Sequence, residues 1–366
     1  MPNDEPVPIT VSSPSTHSLH YVLRSGLAGG MAGISAKTLV APLDRVKILF
    51  QTNNPHYSKY VGSFKGLFNA ISHIYSINGI RGLYQGHSAT LLRIFPYAAI
   101  KFVAYEQYRS FLIPDSSYET ASRRLLAGSL AGISSVFFTY PLDLIRVRLA
   151  FETHQHNYHH NGSKLFHTLR LIYNENSNFK LPYTTGGIQS LPNNNSAITK
   201  FIHSTNIPKN FPVILSISNF YRGFIPTILG MIPYAGVSFY SHDLLHDLFR
   251  SKYLAKYTVS TSIPARFNES RPPLNTWAQL LAGGGAGMLA QASAYPFEVI
   301  RRRMQVGAVT DPSGQFHSIS FTAKQIYKQR GLSGFYVGLG IGFLKVIPMF
   351  ACSFYVYERC KYYLLI

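Results

Sequence analysis

Three times in this chain a proline is followed two residues on by an acid, and three residues further by a base. The copies are Pro42-Leu43-Asp44-Arg45-Val46-Lys47, Pro141-Leu142-Asp143-Leu144-Ile145-Arg146 and Pro296-Phe297-Glu298-Val299-Ile300-Arg301. A glycine stands nine residues before each proline, at Gly33, Gly132 and Gly287, with an alanine ahead of it at Ala32, Ala131 and Ala286. Three copies in one register mean three homologous units, and such a repeat constrains the fold before any single residue does. The second half of each unit repeats as well. Pro96, Pro233 and Pro348 lie ten residues after the glycine of a Tyr-x-Gly (Gly86, Gly223, Gly338) and ten before an acid (Glu106, Asp243, Glu358).

The units are unequal. Pro42 to Pro96 and Pro296 to Pro348 span 54 and 52 residues, but Pro141 to Pro233 spans 92. The organisation read from this is a polar tail at 1–20, a first unit at 21–112, and a second at 121–250 with a polar insert at 174–219. A linker at 251–273 and a third unit at 274–366 follow. The insert is Asn/Ser/Pro-rich and is expected to be a disordered loop. Predicted helices cover 21–50, 86–112, 121–151, 223–250, 274–305 and 338–363, each about 40–45 Å long and able to cross a bilayer with tilt. The expected class is therefore an all-α membrane protein with six transmembrane helices in three tandem pairs.

Only 13% of residues are charged, while 46% are hydrophobic, and the net charge is +19. Such a balance can point to nucleic acid, but the basic residues do not gather in one arm. Several sit inside apolar segments, as Lys37 does, where a cation faces a polar interior and marks a pathway. No single segment is a clean run of twenty apolar residues, and the mean hydropathy is only +0.04. Helices with one face on lipid and one on a wet cavity have this composition. A soluble bundle is the competing reading, and it would have to hold long Gly- and Pro-interrupted helices without lipid.

Cys352 and Cys360 fall eight residues apart on one predicted helix, about 12 Å along its axis and too far to bridge. The first twenty residues hold Asp4 and Glu5, no Lys or Arg and no apolar core. They read as neither a secretory signal nor an Arg-rich transit peptide, so targeting is expected to be internal. The sequons at Asn161, Asn194 and Asn268 are then expected to stay unglycosylated.

A proline bends a membrane helix. Three bent helices around a pseudo-threefold axis bring their ends together, where the acid of one unit meets the base of the next: Asp44 with Arg146, Asp143 with Arg301, Glu298 with Lys47. Such a ring closes one end of a cavity and must break for it to open. A second ring is expected on the other side from Tyr105-Glu106-x-x-Arg109 and Tyr357-Glu358-x-x-Lys361. Its middle copy is His242-Asp243-x-x-His246. His246 is mostly uncharged at neutral pH, so this outer gate should be the weaker.

These three Pro-x-[Asp/Glu]-x-x-[Lys/Arg] copies, their glycines and the Tyr-acid ends together resemble the mitochondrial carrier family over about 300 of the 366 residues. The resemblance implies short matrix helices within each pair and a monomer in the inner mitochondrial membrane. It also implies termini in the intermembrane space and alternating access around one central site. Glutamines nine after the unit prolines brace the matrix gate in that family; here they are Gln51 and Gln305, with Ala150 in the middle position. Gly86, Gly223 and Gly338 open the even helices, where backbone N–H groups bind phosphate; similar sites in the family hold cardiolipin. Tight helix packing is the other reading of these glycines.

By the same resemblance the solute touches the even helices one turn before each proline, at Arg93-Ile94, Gly230-Met231 and Lys345-Val346. Two cations flanking a Gly-Met platform suit an anion with a flat ring, the methionine packing on the ring face. Lys37 and Lys101 stand near enough in sequence to add to the phosphate contacts; snorkelling to the interface is their alternative role. The first-helix and third-helix segments, with the long insert, resemble the coenzyme A-carrying branch that includes fungal carriers and Graves disease carrier proteins. ATP-Mg/phosphate and ADP carriers share much of the pattern. The Arg-Arg-Arg-Met-Met-Met run of the ADP/ATP exchanger is replaced by Arg301-Arg302-Arg303-Met304-Gln305, and no EF-hand loop precedes the first helix.

Other signals are weak. His154, His156, His159 and His160, with His167 nearby, read as a solvated connector before a metal site. Gly283-Gly284-Gly285 lacks the Gly-Lys-Ser/Thr of a P-loop and reads as helix packing. No nucleophile–base arrangement suggests an enzyme, and no cofactor is implied. A carrier-like membrane protein that binds without transporting is the rival reading from another class.

Overall fold

The computed structural model describes residues 19–114, 120–153, 164–175, 216–259, 274–310 and 317–364. The polar tail, nearly all of the 174–219 insert, most of the 251–273 linker, His154 to His160 and the three sequons lie outside these residues. The described residues are mostly helical and hold no strand, only an isolated bridge between Val259 and Leu274. The helices are α1 (Leu19–Gln51), α2 (Phe64–Leu83), α3 (His87–Leu112), α4 (Ala121–Phe151), α5 (Lys164–Asn174) and α6 (Phe224–Phe249). They continue with α7 (Ala255–Thr258), α8 (Thr276–Thr310), α9 (Ile319–Arg330), α10 (Leu339–Leu344) and α11 (Val346–Leu364).

Five of the six unit prolines sit inside unbroken helices: Pro42, Pro96, Pro141, Pro233 and Pro296. The sixth does not. The last predicted helix is interrupted at Lys345, between α10 and α11. Pro348 has no N–H to give the carbonyl four residues back, and its ring crowds that carbonyl, which belongs to Leu344. α2 is also kinked, at Gly79 (φ 61°, ψ −161°).

Among the described residues three helical stretches are long and apolar enough to cross a membrane by length and composition: Ser122–Phe151, Ser216–Phe249 and Ile319–Leu364.

Two compact units divide the chain. One holds residues up to Ala41 together with Leu344–Ile366. In it Arg24 Nη1 donates to the Leu364 carbonyl at 3.0 Å, and Lys37 Nζ lies 3.6 Å from Met349 Sδ. The other runs from Pro42 to Phe343. Here α4 packs along α3 and α8 along α6. Both α4 and α8 bury a stripe of small residues at four-residue spacing: Ala127, Ala131, Ser135 and Thr139, then Ala278, Ala282, Ala286 and Ala290. Small side chains let helix backbones approach closely. The stripe is made by the alanines, not the glycines. A Cβ on Gly132, Gly287, Gly283 or Gly284 would meet nothing within 4 Å. The packing role expected of Gly283-Gly284-Gly285 therefore narrows to Gly285, where a Cβ would lie 3.1 Å from Leu245.

Within the larger unit three similar apolar clusters recur. The end of each odd helix packs on a short helix: Leu49 and Phe50 with Leu67 and Ile74 of α2, Ile145 and Leu149 with Ile172 of α5, Val299 and Ile300 with Ile326 of α9. A fourth cluster joins Ile48, Val147, Ala150 and Val306, so α1, α4 and α8 converge on an apolar plug.

Candidate gate and transport site

The acid and base of each Pro-x-acid-x-x-base copy are three residues apart on one helix and so share a face. Where α1, α4 and α8 converge, these faces meet. Arg146 Nη2 donates to Asp44 Oδ2 at 2.8 Å, Lys47 Nζ to Glu298 Oε1 at 2.9 Å, and Arg301 Nη2 to Asp143 Oδ2. These are the three pairings expected from the repeat.

The ring is not symmetric. Asp143, 1% exposed, also accepts from Arg93 Nη1 at 2.7 Å, Arg302 Nη1 at 3.1 Å and Gln305 Nε2 at 3.2 Å. One carboxylate thus holds three guanidinium groups, leaving excess positive charge around it. Arg302 went unassigned in the sequence reading, although it stands six residues after Pro296, where the other units put Ile48 and Val147. The break in that apolar pattern was the available signal. Arg93, expected at the solute site, is in contact with the Asp143 carboxylate and stacks over Tyr97 with 5.4 Å to the ring centroid.

The glutamines bond to tyrosines that directly precede unit prolines. Gln51 Nε2 donates to Tyr295 Oη at 3.0 Å and Gln305 Nε2 to Tyr140 Oη at 3.1 Å. Each hydroxyl in turn donates to the carbonyl just before an even-helix glycine: Tyr140 to Arg222 at 2.7 Å, Tyr295 to Val337 at 3.0 Å. These tyrosines were also missed. Their signal was the repeated Tyr-Pro dipeptide, which the first unit lacks because Ala41 precedes Pro42.

Gly86, Gly223 and Gly338 have φ of 85°, 80° and 84°, in the left-handed region that side chains disfavour. Each also touches the next odd helix beside its gate base. A Cβ would lie 2.8 Å from the Arg146 carbonyl oxygen at Gly86, 3.1 Å from that of Arg301 at Gly223, and 3.4 Å from Lys47 Cγ at Gly338. Beside each glycine is a cavity: 540 Å³ at Gly86 with Arg81 and Lys164, 260 Å³ at Gly223 with Arg222 and His317, 320 Å³ at Gly338 with Ser63 and Arg330. In each, the start of a short helix (α5, α9 or α2) lines the wall, so helix N-termini and cations face the same space.

Behind the second cavity, Glu175 accepts from Arg148 and Arg222, both at 2.9 Å, and Arg222 Nη2 donates to Asn219 Oδ1 at 3.0 Å. This clamp joins the two ends of the segment that carries the insert. Outside the helices, burial raises the Tyr57 hydroxyl above its ordinary range against the pull of Arg45, so it stays neutral.

At Gly230 a Cβ would lie 3.1 Å from Phe297 Cβ, so α8 approaches closely at the position expected to meet the solute. Ile94 and Met231 are half-buried beside Arg93 and Gly230, and Lys101 is exposed. In the smaller unit Lys37, Lys345 and Val346 are half-buried, Lys345 at the break between α10 and α11.

The outer residues are open. Glu106, Arg109, Asp243 and Glu358 are exposed, and Tyr105, Tyr357 and Lys361 half-buried. Lys361 Nζ sits 3.8 Å from Glu358 on its own helix, and His242 Nδ1 lies 3.7 Å from Asp243 with its ring stacked on His246 at 4.2 Å. Among the described residues no group of His, Cys, Asp and Glu could hold a metal ion.

A charge network where three Pro-bearing helices converge, with a glycine cradle in each unit, fits the class of helical solute carriers. The mitochondrial carrier protein family matches residues 19–116, 117–181 and 272–366, one match per unit. A mitochondrial carrier protein of Saccharomyces cerevisiae is 52% identical over 354 residues, covering 94% of this chain and 91% of that protein. Solute carrier family 25 member 16 of Homo sapiens is 38% identical, covering 93% and 88%. A mitochondrial coenzyme A transporter of Xenopus laevis is 33% identical, covering 96% and 88%. The chain belongs to the mitochondrial carrier family, and is a transporter of the mitochondrial inner membrane.

Proposed function

We infer that this carrier moves coenzyme A, or a related adenine nucleotide, across the inner membrane by alternating access. The observation that carries the reading is the guanidinium excess around Asp143, with Arg93 reaching from the solute position. A polyphosphate leaving water needs fixed cations in place of its hydration, and bidentate guanidinium groups match phosphate oxygens. The likeness to a relative described as a coenzyme A transporter supports the same solute. Coenzyme A offers an adenine, a 3′-phosphate, a pyrophosphate and a long neutral arm, which suits cations spread over Lys37, Arg93, Lys101 and Lys345.

Six crossings in three homologous pairs, arranged with pseudo-threefold symmetry, form the path. The ring of Asp44, Lys47, Asp143, Arg146, Glu298 and Arg301, braced by Gln51 and Gln305, is the matrix gate. Tyr105, Glu106, Arg109, Asp243, Tyr357, Glu358 and Lys361 form the cytoplasmic gate. α1 reaches the ring at its far end, so the termini face the intermembrane space. The cavities at Gly86, Gly223 and Gly338 take cardiolipin phosphates, and the carrier works as a monomer.

Proteoliposomes loaded with coenzyme A, ATP, ADP or adenosine 3′,5′-bisphosphate test this. Coenzyme A should exchange fastest. Faster exchange of ATP or ADP would assign the ATP-Mg/phosphate or ADP type instead, and no uptake of any nucleotide would leave a binding protein without transport.

A further inference from the structure

Two of the three contacts between odd helices carry a glutamine–tyrosine pair, Gln51 with Tyr295 and Gln305 with Tyr140. At the third, both positions are alanine: Ala150 where a glutamine would stand, Ala41 where a tyrosine would. The same first unit holds another exception. The residue after the gate acid is Leu144 in the second unit and Val299 in the third, both fully buried, but Arg45 in the first. Arg45 is 2% exposed, a charge where its counterparts are aliphatic.

Its guanidinium reaches the end of α4. Nε donates to the Ala150 carbonyl at 3.4 Å and Nη2 to the Glu152 carbonyl at 3.1 Å. Asn54 Nδ2 adds a bond to the Phe151 carbonyl at 3.1 Å. Carbonyls in the last turn of a helix lack intrahelical partners and carry the negative end of its dipole. A buried cation placed on them is compensated there through Nε and Nη2, with Nη1 buried and without a hydrogen-bond partner among the described residues, and ties α1 to α4.

The geometry points to Arg45 as the brace of the third helix contact, a positioning residue that holds the matrix gate closed where the glutamine–tyrosine pair is missing. This rests on the gate reading proposed above. Because the bonds to α4 exist in the closed ring, losing them shifts the carrier toward the form open on that side. Affinity measured from the outer side then falls while that from the matrix side improves.

The test uses the full-length carrier in oriented proteoliposomes with radiolabelled coenzyme A, and its melting temperature in detergent. Arg45→Leu takes the residue its counterpart Leu144 already provides. It should raise the ratio of outer-side to matrix-side KM about tenfold. It should also lower the melting temperature by about 3–6 °C. Arg45→Lys, which keeps the charge but loses the fork, should move the ratio about threefold. Installing the missing pair, Ala41→Tyr with Ala150→Gln, should return both readings of Arg45→Leu toward wild type. A KM ratio unmoved in Arg45→Leu and Arg45→Lys would overturn the proposal, as would a well-folded transplant without rescue. Should either Arg45→Leu or the transplant fail to accumulate, the Arg45→Lys ratio decides. If wild type moves no nucleotide, the solute reading falls, and the melting temperatures alone still score the brace.

Discussion

The asymmetry of the gate makes charge reversal informative. Arg146 and Asp44 form the simplest of the three pairs, with side chains 17% and 10% exposed. Asp44→Arg sets two cations at ion-pair distance in a site nearly closed to water. Breaking a buried pair costs about 3–5 kcal/mol, and the residual exposure reduces this to about 2–4 kcal/mol. At 1.4 kcal/mol per tenfold, the closed form loses about 30- to 700-fold in population. Coenzyme A exchange by Asp44→Arg should therefore fall below a few per cent of wild type, about the level of the leak. Adding Arg146→Asp restores opposite signs and should recover a large share of exchange, since coupling between paired groups depends on sign more than on which helix bears which charge. Asp143→Arg with Arg301→Asp should behave otherwise: the new arginine still faces Arg93 and Arg302, so little recovery follows. Equal recovery in the two double reversals would refute the three-arginine hub. No recovery in the first would refute the Asp44–Arg146 pairing.

Three further outcomes follow from the geometry. Arg93→Ala and Lys345→Ala should each abolish uptake in proteoliposomes without lowering protein abundance; for Arg93, Asp143 keeps Arg301, Arg302 and Gln305 as partners. Gly223→Ala must hold an alanine at φ 80° against Tyr140 and the Arg301 carbonyl. Backbone strain alone costs about 1–2 kcal/mol, which should appear as a lower melting temperature and a smaller stabilisation by added cardiolipin. Glu175→Gln leaves Arg148 and Arg222 without their carboxylate and should destabilise by about 2–4 kcal/mol, read as an earlier denaturant or thermal midpoint, with KM for coenzyme A unchanged.

Much of the gate was legible because the repeat supplies its own alignment. Acid and base recur at fixed distance from a proline, so their partners follow from symmetry without knowing any distance. What departs from symmetry could not be read that way. The three arginines on Asp143, the tyrosine hydroxyls under the glutamines and the reach of Arg45 depend on long side chains crossing between helices. Gly230 shows the limit from the other direction: a glycine suits both a flat ligand and a close neighbour, and only the structure shows Phe297 beside it. The break at Lys345 was implicit in Pro348, but five other prolines sit inside unbroken helices, so residue type alone gave no reason to expect it.

The glycine cradles have a consequence for the surrounding bilayer. At Gly86 the backbone that opens an even helix lies against the carbonyl of the very residue that closes the ring, Arg146, with no side chain between them to absorb movement. Displacing the end of an odd helix therefore shifts the floor of the neighbouring cavity at the same time. On the proposed reading, a lipid phosphate seated in that cavity would act as a mechanical load on the ring. Turnover would then be set jointly by the chain and by the headgroups around its waist, and one sequence would run at different speeds in membranes of different lipid composition.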